Sequence, residues 1–392
     1  MAEDNTYLFM RTLFVYLCFF IMVYGNCCLF NSETPPVYYN HCLSIIPVLI
    51  FCLLFKRQYS LSIDRKWIIL TVVSYVFMTL IFQRDSGNSS VTLLCYMLIP
   101  MFCCSVLPKY KYIRFVVFAL IVFEALLCIF EYFTQNNLFF SIEEYGRFRS
   151  SGIWGHPLHN ASIVSVIILL AVMSPLRSIY KVLFVFVGFV VLFTFNGRAA
   201  IISTLLCLAL LGFVQRKQVL FFLVNKPLVG VLALIAVFYL FGYLSTSELG
   251  GKLFVQDTRN LNDGSAMTRF YLYDYVLSMG INEWLFGIND IATVFKSNEF
   301  SYIESTPISL ILNRGIIVAL PLMLFQYVDL YNYFGKVGST NRLIIILDIV
   351  IIGLSSESYI GIAPWVIIYI TYVALFKNRQ YESRNSNVFS IP

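Results

Sequence analysis

Long apolar runs recur along the chain and are separated by short polar segments, a pattern typical of a bundle of membrane-spanning helices. A helix needs about 20 mainly apolar residues to cross a bilayer, and its backbone groups must be hydrogen-bonded within the segment. Applied to this sequence, that length predicts about twelve spanning helices. The predicted spans are 12–30, 38–55, 67–83, 91–107, 113–134, 159–174, 179–195, 198–214, 227–244, 307–330, 342–356 and 358–376.

The composition favours one membrane domain over several soluble ones. The 392 residues are 59% hydrophobic and only 12% charged, with a mean hydropathy of +0.79. A soluble domain averages about 25% charged residues. We therefore predict an all-α polytopic membrane protein with a single domain over residues 1–392.

The positions of lysine and arginine predict the orientation of these helices, because cytoplasmic loops carry an excess of both residues. If the N-terminus is cytoplasmic, most of the 27 basic residues fall in cytoplasmic segments, and the C-terminus is cytoplasmic as well. The net charge of +6 is then a topology signal and does not indicate a nucleic-acid partner. The longest polar segments, 135–158 and 245–306, face outward, the second between predicted helices nine and ten.

The first outer segment combines two arginines, Arg147 and Arg149, with a glycine-rich turn and with His156 and His159. A guanidinium group presents a planar, permanently charged fork that suits phosphate, and glycine lets the backbone approach a ligand closely. These four side chains are therefore candidates for substrate binding. The alternative is an ordinary re-entrant loop with solvated charges.

A third outward arginine, Arg198, follows Asn196 and Gly197 at the start of a predicted helix. The N-terminal end of a helix attracts anions, and an adjacent arginine strengthens that attraction. We therefore expect Arg198 to bind an anionic group. The alternative is an anchor at the membrane interface.

A fourth arginine, Arg269, opens an amphipathic segment in the long outer loop. The apolar spacing there predicts a helix that lies on the membrane surface. The residues that set this spacing are Phe270, Tyr273, Val276 and Leu277.

Of the acidic residues at or within the predicted membrane region, four bear on function. Glu304 ends the long outer loop, where partial desolvation would increase the proton affinity of its carboxylate and suit it to act as a general base; the alternative is a capping or solvated acid. Glu124, Glu131 and Asp348 lie in or near spanning runs, where charge is unfavourable and usually faces the bundle interior. For Glu124 and Asp348 we favour structural pairing over the proton relay of a transporter.

Several common motifs are missing from the sequence. It contains no phosphate-binding GxxxxGK[ST], dinucleotide-binding GxGxxG, HExxH or GxSxG motif, and no Asp-x-Asp pair for a metal-bound sugar nucleotide. We therefore expect neither ATP-driven transport nor cytosolic nucleotide-sugar chemistry, and neither a cofactor nor a metal ion.

In architecture and in four short motifs, the chain resembles the O-antigen polymerase/ligase family of bacterial envelope enzymes. The motifs lie at 147–160, 194–200, 268–287 and 304–316. The first three match Arg149 through Pro157, Thr194 through Arg198, and Arg269 through Gly287. Arg269 and Gly280 also fit the Arg-x10-Gly spacing of polymerases.

The fourth motif departs from the ligases of that family. Ligases carry a His-Asn pair about eleven residues before the glycine that starts the next spanning helix. Counting back from Gly315 places Glu304 and Ser305 at that position. An acid thus replaces the residue thought to activate the acceptor hydroxyl, which favours a polymerase.

The resemblance implies a GT-C-like fold and an active site at the periplasmic face of the bacterial inner membrane. The donor would be a glycan on undecaprenyl pyrophosphate, the acceptor a lipid-linked repeat unit, and a chain-length regulator a partner protein. Arg198 and Arg269 would hold the pyrophosphate, assisted by Arg147 or Arg149, and Glu304 would take the acceptor proton. The alternatives are an O-antigen ligase that transfers glycan to lipid A core and a lipid-linked oligosaccharide flippase.

Overall fold

The computed structural model describes residues 113–139, 148–154, 156–217, 235, 239, 242, 264–288, 305–356 and 362–377. Within these ranges every regular element is a helix, in agreement with the predicted all-α class. The helices are α1 (Ile113–Thr134), α2 (Pro157–Met173), α3 (Ser178–Thr194), α4 (Arg198–Val214), α5 (Gly264–Ser278), α6 (Ile281–Phe286), α7 (Thr306–Arg314), α8 (Ile316–Tyr333), α9 (Ser339–Ser355) and α10 (Ile362–Tyr372). A π-helical turn, Val373–Lys377, continues α10.

Helix α2 lies at the centre of the described bundle and packs against α3, α4, α9 and α10. Every side chain from Asn160 to Ala171 is buried. A helix that is apolar all round is expected to be enclosed by its neighbours. By contrast α3 leaves Ile179, Val182 and Phe186 exposed, so one face of this apolar helix is available to lipid.

One polar cluster ties three helices together inside this bundle. Asp348 of α9 accepts hydrogen bonds from the hydroxyl groups of Ser165 on α2 and Ser203 on α4, each at 2.6 Å. The Ser165 and Thr204 hydroxyls also lie 2.7 Å apart. Buried polar groups persist where they are hydrogen-bonded, and the predicted structural pairing of Asp348 has this form.

Five predicted spans agree with described helices to within three residues at each end. They are 113–134, 159–174, 179–195, 198–214 and 342–356. Among the described residues, Phe115–Thr134 and Ile316–Tyr333 are long and apolar enough to cross a membrane, and shorter apolar helices accompany them. The four spans before residue 108 lie outside the described residues, as does 227–244 apart from three helical positions. The total of twelve stays a prediction.

The prediction of one continuous span over 307–330 is wrong. Helix α7 ends at Arg314 and α8 begins at Ile316, because Gly315 adopts a φ of +69° that interrupts the helical path. A β-carbon on Gly315 would lie 2.1 Å from the carbonyl oxygen of Leu285, so the chain bends where another segment packs directly on its backbone. The apolar run does not reveal this bend, since it depends on a contact with a residue 30 positions earlier.

Candidate active site

The first of the predicted outer loops enters the helix bundle, and its residues Ser150 to Trp154 are buried. Two glutamates of α1 bind its backbone. The N–H groups of Ser151 and Gly152 both donate to Glu131 Oε2 at 2.9 Å. The N–H of Ile153 donates to Glu124 at 3.1 Å, and that of Trp154 does so at 3.3 Å. This part of the loop therefore packs on α1 inside the bundle, and these acids are structural partners of backbone donors.

Glycine at position 152 is required by this packing. Its φ of +56° lies in the left-handed region that disfavours side chains. A β-carbon there would lie 2.0 Å from Glu124 Oε1 and 2.9 Å from Cys128 Sγ. The glycine of the first motif thus lets the loop lie directly on α1.

The first loop also contacts the turn that precedes α4. The Ser150 N–H donates to the Thr194 carbonyl oxygen at 3.1 Å. Beyond Thr194 the chain turns at Asn196, whose φ is +54°, and α4 begins at Arg198. Arg149 is buried with 7% of its surface exposed, and Arg198 is half-buried. Arg149 and Arg198 therefore belong to segments that are hydrogen-bonded to each other.

The predicted histidines lie where this loop enters α2. His156 is the N-cap residue of α2, and its Nδ1 accepts the Leu158 N–H at 3.3 Å. Its ring centroid is 5.4 Å from that of His159, one turn into the helix. Because Nδ1 accepts a backbone proton, Nε2 is the nitrogen of His156 that carries the ring proton.

The register between α4 and α9 shows which other segments share the Arg198 end of the bundle. Ser203 bonds to Asp348, and the Cys207 thiol lies 3.6 Å from the Ile344 carbonyl oxygen, so the two helices run antiparallel. Continuing this register by one turn brings Arg198 level with the C-terminal end of α9.

Two segments from the long polar stretch that is predicted to face outward attach at that C-terminal end of α9. The Thr306 hydroxyl, at the start of α7, donates to the Ser356 carbonyl oxygen at 2.9 Å. The Tyr273 hydroxyl, on α5, donates to the Leu354 carbonyl oxygen at 3.2 Å. The segments that carry the third and fourth motifs therefore lie at the same end of the bundle as Arg198.

The helix predicted after Arg269 exists as α5, and its location on a membrane surface stays a prediction. Val276 is buried against the protein, whereas Leu277 is 75% exposed. The buried stripe is Leu272, Val276 and Met279, at i, i+4 and i+7 spacing. It packs on the next part of the loop, where the buried partners are Ile308 and Leu312 of α7.

A junction between two glycines joins the third and fourth motifs. Gly287 ends α6 with a φ of +77°, and a β-carbon on it would lie 2.8 Å from the Gly315 nitrogen. The Ile288 N–H donates to the Leu312 carbonyl oxygen at 2.8 Å. Because two left-handed glycines allow the backbones to touch, the ends of α6 and α7 are fixed together.

The predicted site residues differ in how far the structure describes them. Arg149, His156, His159 and Arg198 lie in segments joined at one end of the bundle. Of Arg269, the described part is its backbone position on α5. Arg147 and Glu304 lie outside the described residues, although Ser305, the N-cap residue of α7, is described and buried.

Sequence reasoning did not foresee the residues that hold these segments in place. Glu131, Thr306 and the Gly287 junction act through contacts over long sequence distances. The seven-residue spacing of Glu124 and Glu131 on one helix was the available signal, since it places both carboxylates on one face. Among the described residues, no group of three His, Cys, Asp or Glu side chains is placed to hold a metal ion.

Comparison with known proteins adds a family assignment to this geometry. A search of curated proteins found no match. Residues 182–323 match the family model described as O-antigen ligase (Wzy_C). Members of that family are membrane proteins and glycosyltransferase-like enzymes of O-antigen and glycan assembly. The matched segment runs from α3 into α8 and contains Arg198, Arg269 and Glu304. The match over residues 182–323 confirms the resemblance of this part of the chain to the O-antigen polymerase/ligase family.

Proposed function

We propose that the protein is a polysaccharide polymerase, which joins lipid-linked oligosaccharide repeat units at the periplasmic face of the bacterial inner membrane. The observation that carries the proposal is the family domain over residues 182–323. The convergence of its motif segments with the Arg149 loop at one end of the bundle supports it further.

The donor is a growing glycan on undecaprenyl pyrophosphate, and the acceptor is a single repeat unit on the same lipid. A hydroxyl oxygen of the acceptor sugar attacks the anomeric carbon of the donor, and a new glycosidic bond forms. The bond from that carbon to the pyrophosphate oxygen breaks, and its electron pair leaves with the pyrophosphate. Glu304 receives the acceptor proton, so one displacement inverts the anomeric centre.

Arginines supply the electrostatic part of this reaction. Negative charge builds up on the departing pyrophosphate, and fixed donors aimed at developing charge lower the barrier. Arg198, at the start of α4, and Arg269, on α5, hold the pyrophosphate, and Arg149 or Arg147 assists them. A guanidinium group binds two phosphate oxygens at once and remains charged when half-buried, as Arg198 is.

The ligase is the second candidate, because the matching family model carries that description. The residue before α7 favours the polymerase. Where ligases of the family carry a His-Asn pair, this chain carries Glu304 and Ser305. The transporter alternative is less favoured, because the buried acids Glu124, Glu131 and Asp348 bind hydroxyl and backbone N–H groups, as structural residues do.

Site variants in a cell that depends on this gene test the proposal. We expect Arg198→Ala, Arg269→Ala and Glu304→Gln each to abolish long chains and leave single repeat units. The matched control is Arg216→Ala, because Arg216 is exposed just beyond the other end of α4. Long chains of normal length in all three site variants, at normal expression, would refute the site assignment.

The location of the glycan separates the candidate functions. Loss of a polymerase leaves single repeats on the acceptor lipid. Loss of a ligase leaves full-length polymer on the undecaprenyl carrier and none on lipid A core. Loss of a flippase removes lipid-linked repeats from the periplasmic face altogether, so extraction of the carrier fraction distinguishes all three outcomes.

A further inference from the structure

We infer that Glu131 and Glu124 are positioning residues, which hold the first outer loop in the conformation that keeps Arg149 beside the Thr194–Arg198 turn. This inference rests on the proposed function and assigns a role to two acids outside the matched family domain. Together with the loop residues Ser151 to Trp154, the two carboxylates form what we term the glutamate clamp.

The clamp holds the loop at two points along α1. Glu131 and Glu124 are seven residues apart, which is about 10 Å along a helix axis. Gly152, Ile153 and Trp154 form a turn that follows Ser151 and lies against this part of α1. Glu131 binds the first two N–H groups of this stretch and Glu124 binds the last two. Both ends of the stretch are therefore fixed to one helix.

Glu131 needs both of its carboxylate oxygens as acceptors. Its Oε1 accepts the Leu138 N–H at 3.0 Å, while Oε2 accepts two N–H groups of the loop. A glutamine has one acceptor oxygen and one donor nitrogen, so at this position its amide nitrogen would face a donor on one side. Glu124 differs, because its Oε1 accepts from both Ile153 and Trp154, while its Oε2 only shares the Ile153 N–H, at 3.1 Å. A glutamine at 124 keeps the two bonds to the first oxygen and loses only the shared second acceptor of Ile153.

The clamp acts on Arg149 through the next residue in the chain. Ser150 Oγ donates to the Cys128 carbonyl oxygen of α1 at 2.7 Å, and Ser150 N–H donates to Thr194 at 3.1 Å. Ser150 is thus held between α1 and the turn before Arg198. If the loop leaves α1, the backbone of Arg149 moves away from that turn.

The same loop covers a cysteine whose reactivity reports the state of the clamp. Cys128 lies on α1 with its side chain fully buried, and its thiol is 2.9 Å from the position of a β-carbon on Gly152. A loop that stays clamped shields this thiol from alkylating reagents. A loop that detaches exposes it.

The experiment compares four variants with the wild-type full chain in detergent or nanodiscs. Glu131→Gln breaks the clamp, and Gly152→Ala breaks it without a change of charge, because the added methyl group overlaps Glu124. Glu124→Gln is the milder variant. Asp348→Asn is the control for a buried carboxylate that does not touch the loop. Alkylation of Cys128 by a maleimide, followed by peptide mass spectrometry, and transfer kinetics with a synthetic lipid-linked donor are both measured.

For Glu131→Gln and Gly152→Ala we expect rapid alkylation of Cys128 and a KM for the donor at least 10-fold above that of the wild type. We expect wild-type values for Asp348→Asn and a smaller change for Glu124→Gln. Protection of Cys128 in Glu131→Gln would overturn the clamp. Exposed Cys128 with an unchanged KM would overturn the positioning role. A folded wild-type protein that transfers no glycan would instead contradict the proposed function, and Cys128 alkylation alone would then decide whether the clamp exists.

Discussion

Replacement of Gly315 by alanine tests whether the break between α7 and α8 shapes the site. Gly315 has a φ of +69°, which a residue with a β-carbon adopts at a cost of about 1–3 kcal/mol. The new methyl group would also lie 2.1 Å from the carbonyl oxygen of Leu285 and 2.4 Å from the nitrogen of Phe286. Real contacts of this kind do not occur, so the ends of α6 and α7 must separate.

The two effects together predict a large loss of stability and of activity. Overpacking of a filled site costs typically 1–3 kcal/mol, and added to the backbone strain it gives a total of about 2–6 kcal/mol. For a chain of 392 residues, a loss of this size lowers the apparent midpoint of thermal unfolding by roughly 2–7 °C. The separation also moves the start of α7, which follows Glu304 in the chain. Because a misplacement of about 1 Å can slow a reaction about 100-fold, we expect transfer to fall at least 10-fold.

The assay is a thermal unfolding scan of the purified protein in detergent, combined with a transfer measurement on the same preparation. Gly212→Ala on α4 is the matched control, because a β-carbon there meets nothing within 4 Å. Alanine in an open helical position stabilises by about 0.5–1 kcal/mol relative to glycine. A Gly315→Ala protein with the midpoint and activity of the control would refute the proposed packing of Gly315 on Leu285.

Two further substitutions test the contacts that hold α7 and the bundle centre. Thr306→Val removes the hydroxyl that donates to Ser356, and we expect the free energy of unfolding to fall by about 1 kcal/mol and transfer to be slower. Thr306→Ser keeps the hydroxyl, so we expect wild-type stability and transfer. Equal behaviour of the two variants in unfolding and transfer assays would argue against this anchor. Asp348→Ala removes the carboxylate that accepts from Ser165 and Ser203, and we expect a loss of about 1–3 kcal/mol in total because Ser165 keeps the Thr204 hydroxyl as a neighbour; Asp348→Asn retains an acceptor and unfolds closer to the wild type. Identical midpoints for the alanine and asparagine variants would show that these bonds contribute little.

The helices could be predicted from the sequence wherever an apolar run is bounded by polar residues. Helix α1 begins and ends at the predicted residues, and α4 does as well. The exception at Gly315 has a physical cause. A run of apolar residues indicates that a segment is removed from water. The bend at Gly315, by contrast, arises from a backbone contact with Leu285 on a segment distant in sequence.

The same distinction explains what could be predicted of the candidate site. Arginine, histidine and glycine in segments predicted to face outward made the Arg149 loop and the Arg198 turn candidates for the site, because those residue types are informative by themselves. Their mutual contact, through Ser150 and Thr194, depends on the packing of α1, α2 and α3 and is not encoded locally. The structural use of Glu131 was equally hidden, since its partners are backbone N–H groups that every residue except proline possesses.

Reconstitution of the reaction tests the central claim most directly. The purified protein is incubated with a synthetic repeat unit on undecaprenyl pyrophosphate, in a chelating buffer without added metal, and the products are separated by length. We predict a ladder of increasing chain length for the wild type and for Arg216→Ala, and single repeat units for Arg198→Ala and Glu304→Gln. A folded wild-type protein that forms no ladder, yet transfers preformed polymer to a lipid A core acceptor, would contradict the polymerase and establish the ligase.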